Sequence, residues 1–248
     1  MGLFGIKVPK LCSDEKANEL CKKAWELYDT GKYEKAVDIF AQLAEQDFAK
    51  AQNAMGICCK EGRGLPQNTA GAIEWFTKAA KQEYGAAYYN LGKLYEDGKL
   101  VSRDEQRIFY YYSEGAARKY PSAQYRVGCC YANGIGVIKN ELMALSFWIS
   151  ASLAGNKDAD LMLKKAVLDD AYEKHVKDYL IPYYEQRPEN DTIVYMLLGY
   201  CYEHGIGATE NAITAHTIYL KAILDLDRLS AEEKALAKTV KLRSQIIK

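Results

Sequence analysis

Four glycines constrain any fold this chain can adopt. Gly62, Gly98, Gly134 and Gly205 stand in EGRG, DGKL, NGIG and HGIG; the first two intervals are 36 residues each, and the third is 71, two periods less one residue. A fixed interval of this length marks a chain built from stacked supersecondary units, each too small to bury its apolar face alone. A Gly-x-Gly loop opening a helix can also cradle phosphate. Recurrence argues against that use here. No strand is expected before the loops, the GxxxxGK pattern followed by Ser or Thr is absent, and one copy carries Leu100 in place of the second glycine. The glycines are expected instead as turn residues whose backbone angles other residues avoid.

The flanks keep the same register. Six residues before each loop glycine lies another, Gly56, Gly92, Gly128 and Gly199, and ten residues after it stand Ala72, Ile108, Ala144 and Ala215. Ala87, Leu91, Leu94 and Tyr95 fall at i, i+4, i+7 and i+8, one apolar stripe of a helix; Ala72, Trp75, Phe76 and Ala79 repeat the stripe after the loop. Each unit therefore reads as helix A, a glycine loop, then helix B. A glycine inside helix A costs about 1 kcal/mol relative to alanine, so its recurrence predicts close approach of a neighbouring helix.

The stretches AYYNLGKLYEDGKL and AQYRVGCCYANGIGVIKNELMALSFW resemble Sel-one-like repeats, relatives of the tetratricopeptide repeat. The resemblance covers residues 51–158 as three repeats and 194–229 as a final one. It implies an all-α, right-handed solenoid of antiparallel helix pairs. Residues 17–50 have a shorter turn, with Gly31 followed five residues later by Ala36, and resemble an ordinary tetratricopeptide repeat; residues 1–16 precede it as an extension. Residues 159–193 lack the loop glycine pair and place Lys164 at the helix-A glycine, so they read as a degenerate helical repeat or an irregular insert, with Pro182 kinking or breaking a second helix. Ser230-Ala231-Glu232-Glu233 has the form of a capping box, and residues 230–248 read as a terminal capping helix.

Charge excludes some partners. With 33 Lys+Arg against 33 Asp+Glu, the net charge is +0 and gives no general pull toward nucleic acid or an anionic membrane. No apolar run approaches the roughly 20 residues that span a bilayer, and MGLFGIKVPKLC has no basic leader followed by a long apolar stretch. The expected setting is the cytoplasm. The seven cysteines include the adjacent pairs Cys58-Cys59 and Cys129-Cys130, which suit neither a disulfide framework nor zinc. Cys58, Cys130 and Cys201 share the packing position of Leu94, where free cysteine acts as a small buried hydrophobe. Secreted members of the resembled family staple helix A to helix B by disulfides, and the helix-B stretches here contain no cysteine. His175, His204 and His216 are too scattered for a metal site or a catalytic triad, so no metal, cofactor or enzymatic activity is expected.

Binding is the remaining expectation. Twenty tyrosines exceed what the core positions Tyr112, Tyr131, Tyr202 and Tyr219 need. The repeat register places Asn53, Tyr89 and Tyr125, then Lys93 and Tyr200, on the inner, concave side of the A helices. Lys60, Glu96 and Glu203 follow one turn later, with Glu61, Asp97, Asn133 and His204 after them. Tyrosine offers large contact area with little rotamer entropy, which suits a recognition surface. The expected role is a scaffold or adaptor for a protein or peptide partner. The resemblance also implies two alternatives: a bacterial immunity or regulatory protein that sequesters one toxin or signalling enzyme, and, more remotely, a β-lactamase-like or penicillin-binding activity.

Overall fold

The computed structural model describes residues 14–166 and 175–185, together with positions 195, 198, 199, 201–203, 210, 211, 214, 215, 218, 231 and 235. The chain divides into two compact units, 1–138 and 139–248. In the first, α1 (Asp14–Asp29), α2 (Tyr33–Ala44), α3 (Ala49–Glu61), α4 (Thr69–Lys81), α5 (Gly85–Asp97), α6 (Glu105–Ala117) and α7 (Pro121–Asn133) each pack on the next in chain order. The second holds α8 (Glu141–Leu153), α9 (Lys157–Ala166), and a π-helical turn, Val176–Leu180, running into α10 (Ile181–Glu185). The described residues form no strand. The chain is an all-α solenoid of consecutive helix pairs, as the spacing predicts.

The cause of the helix-A glycines is a ring. At Gly56 an added Cβ would lie 2.5 Å from the Phe76 ring, and at Gly92 it would lie 2.7 Å from the Tyr112 ring. Phe40, Phe76, Tyr112 and Trp148 recur every 36 residues and are all buried. Each is the largest fully buried side chain of its helix B. Where the ring meets a glycine, the missing Cβ lets it lie against the backbone of helix A. Cys58, Cys130 and Cys201 are buried with Leu94, as their shared position predicts.

Both ends of helix B repeat a fixed device. Asn68, Asp104 and Asn140 cap α4, α6 and α8, their side-chain oxygens accepting from the amides of Gly71, Arg107 and Met143 at 3.0 Å. Asn211 accepts from Thr214 in the same way at 2.9 Å. At the other end Asp47, Glu83 and Lys119, again 36 residues apart, adopt φ of 59°, 62° and 56°, and Gly155 follows at 85°. This left-handed residue reverses the chain so that the next amide reaches back into helix B, as Tyr120 does to the Gly115 carbonyl at 3.1 Å.

The stretch expected to be degenerate keeps a first helix. In α9, Lys164 is buried in place of the glycine and pairs with Asp160 at 3.2 Å. The backbone widens into the π turn just before Pro182, which cannot donate to the ladder and whose ring would crowd the carbonyl four residues back. The expected terminal helix falls outside the described residues except for positions 231 and 235, both helical.

Candidate interaction face

The A helices of the first unit, α3, α5 and α7, carry nine of the twelve residues singled out from the repeat register. They do not form one uniform exposed surface. Asn53 is buried, only 6% exposed, because its side-chain carbonyl accepts from the Asn90 amide at 2.8 Å. That bond joins α3 to α5. Tyr89 is half-buried, its ring centroid 5.7 Å from that of Tyr112 and 5.6 Å from that of Tyr120. Tyr125 is also half-buried, with the Arg126 guanidinium 5.7 Å from its ring centroid.

The two glutamates serve the scaffold. Glu96 accepts a hydrogen bond from the Tyr112 hydroxyl at 2.6 Å and pairs with Arg126 at 3.4 Å, linking α5, α6 and α7. Glu61 accepts from the Tyr28 hydroxyl at 2.8 Å and meets Arg63 at 3.4 Å. Burial and the neighbouring Glu96 carboxylate push the Tyr112 hydroxyl far above the ordinary tyrosine range; burial and Glu61 do the same to Tyr28. Burial alone would depress the Arg126 guanidinium, but Glu96, Tyr112 and Tyr89 outweigh it and the net shift is upward. These are charge-assisted hydrogen bonds in a partly dry setting, which hold the rings beside them in place.

The remaining residues face outward. Asp97 and Asn133 are exposed, the latter donating its amide to the Cys129 carbonyl at 2.8 Å, while Lys60 and Lys93 are partly exposed. Lys60, Lys93 and Asp97 make no ion pair among the described residues. In the second unit Glu203 is partly buried, and Tyr200 and His204 lie outside the described residues. Asn90 and Arg126 were not anticipated. Their signal is that they lie 36 residues apart, one position after Tyr89 and Tyr125.

The buried thiols Cys58, Cys130 and Cys201 are not poised as nucleophiles. Burial pushes the Cys58 and Cys130 thiols up to about 12, with the adjacent cysteine adding to the shift. Cys201 rises to about 12 by burial alone. Among the described residues no group of His, Cys, Asp and Glu is placed to hold a metal ion, and no helix is long and apolar enough to cross a membrane.

Comparison with known proteins agrees with this architecture. The Sel1 repeat matches residues 49–84, 85–120, 121–156 and 194–224, more than half of the chain. A Sel1 repeat protein from Oxalobacter formigenes is similar in structure, with a TM-score of 0.62 and 24% identity over 91% of this chain and 99% of that one. The protein c5321, a protective antigen of uropathogenic Escherichia coli strains displaying an SLR fold, is similar with a TM-score of 0.61 and 22% identity. That likeness covers 92% of this chain and 53% of the antigen. No curated protein matches the chain by sequence.

Proposed function

The chain belongs to the Sel1 repeat family, whose repeats are generally protein–protein interaction modules on a generally non-catalytic scaffold. We propose that this member is a scaffold or adaptor that takes a peptide or partner domain on a concave face formed by its A helices. In this reading residues 17–50 extend the same solenoid, 159–193 form a degenerate repeat within it, and 230–248 cap it. The buried free thiols Cys21, Cys58, Cys59, Cys130 and Cys201 support a reducing, cytoplasmic setting.

One observation carries the proposal. Lys60 and Asp97 stand in the last turns of α3 and α5, and Lys93 one turn before the end of α5, on helices whose neighbouring side chains are already fixed by Glu96–Tyr112–Arg126 and Asn53–Asn90. A surface prepared in this way orders little on binding, so more of its contact energy appears as affinity. Partners recovered from the native source by affinity purification would be titrated against Lys93→Glu/Asp97→Lys and Tyr125→Ala. Weakening by about tenfold or more is expected, since each 1.4 kcal/mol is a factor of ten. Equal affinity for the wild type and both variants would contradict the proposal. Charge reversal on α4, at Glu74 and Lys78, serves as the control.

A further inference from the structure

The loop between α5 and α6 departs from its counterparts, and a pocket lies beside it. Gly64 and Gly136, the second glycines of the flanking loops, have φ of 76° and 66°. Each lies against the first turn of the preceding helix B: an added Cβ would be 2.6 Å from the Tyr33 carbonyl oxygen at Gly64, and 2.1 Å from that of Glu105 at Gly136. The equivalent residue between α5 and α6 is Leu100, which has a Cβ and is not among the residues with positive φ. That loop cannot follow the same path. The apolar residue after it is also smaller, Val101 where the first loop has Leu65 packed into the core.

Beside the altered loop lies a pocket of about 380 Å³, lined by Tyr95, Val101, Ser102, Arg103, Asp104 and Arg107. Its polar groups are mostly donors. Arg107 donates to the Tyr95 hydroxyl oxygen at 2.7 Å through one terminal nitrogen and faces Asp104 at 3.2 Å through Nε, leaving its other terminal nitrogen without a partner among the described residues. The Tyr95 hydroxyl accepts that bond and has its own O–H left to donate; the Ser102 hydroxyl has no partner among the described residues. Arg103 reaches the Glu96 carbonyl at 3.1 Å, and its second terminal nitrogen is 3.6 Å from Glu105, too long for a hydrogen bond. Each guanidinium has a carboxylate near it, Asp104 for Arg107 and Glu105 for Arg103, so the recess offers an excess of hydrogen-bond donors rather than of net charge. The helix terminus is not the attraction, because Asp104 already caps it.

We propose that this pocket binds a small oxyanion, a carboxylate or phosphate group presented by a peptide. Guanidinium and hydroxyl donors grouped around a recess of this size suit such a group, with Tyr95 and Val101 as the apolar wall. The lining shares no residue with those named for the A-helix face, so its failure would leave that proposal intact.

The test is a titration of the full chain, following the side-chain Nε–H resonances of Arg103 and Arg107 by NMR. The probes are N-acetylphosphoserine amide, N-acetylaspartate amide and, as neutral control, N-acetylserine amide. Saturable shifts are expected with the anionic probes only, and their relative affinities separate a phosphate from a carboxylate source. Arg107→Gln should weaken the better probe by about tenfold, the loss of one charge-assisted contact. Leu100→Gly, which restores the glycine of the flanking loops, should close the recess and weaken binding equally while leaving the circular dichroism spectrum unchanged. Absence of saturable shifts, or undiminished binding in both variants, would overturn the proposal.

Discussion

Gly92 and Tyr112 show how one atom decides the local structure. The ring occupies the space where a Cβ would stand, 2.7 Å away, so Gly92→Ala must displace a fully buried tyrosine that also bonds Glu96. Overpacking of this kind costs roughly 1–3 kcal/mol, more than the helix propensity gained by alanine, and a urea titration should show the loss. The same buried groups set the alkaline limit. Tyr112 and the Cys58 and Cys130 thiols ionise less readily in the fold than at the ordinary values of 10.0 and 9.0. Their folded values are raised, so their contribution is fully present below about pH 9 and falls as pH rises through the unfolded values toward about 12. At pH 10 each thiol should cost on the order of 1 kcal/mol relative to pH 8, read as a falling urea midpoint. A midpoint unchanged up to pH 10.5 would contradict this assignment.

At the scale of the element, the periodic glycines made helix A, loop and helix B legible before any coordinates. The repeated N-caps have an equally plain signature: Asn68, Asp104 and Asn140 are 36 residues apart. Replacing Asn68 with alanine removes the bond to the Gly71 amide. It should cost about 1 kcal/mol, measurable as a lower midpoint and faster amide exchange in the first turn of α4. The candidate face was only partly legible. The register places Glu61 and Glu96 on the A helices, yet nothing local reveals that they bind tyrosine hydroxyls 33 and 16 residues distant in sequence. The register likewise places Asn53 in the groove, whereas its amide pairing with Asn90 buries it. Periodicity specifies which side of a helix a residue occupies; whether its polar end is already satisfied depends on side chains from other helices.

For the whole molecule, buried rings and paired glutamates hold the A helices of the first unit in place, and on those helices stand the residues proposed to meet a partner. Recognition would then reside in Lys60, Lys93, Asp97 and Tyr125, while Glu96, Tyr112 and Arg126 hold the surface in shape. The outward side of α4 carries a different pattern, with Glu74 and Lys78 paired at 2.8 Å on the helix surface. The most direct test places a photo-crosslinking amino acid at Lys93 in one variant and at Lys78 in another, each exposed to extract from the native source. A discrete crosslinked partner is expected from position 93 and none from position 78. Crosslinking from position 78 with none from position 93 would contradict the proposal.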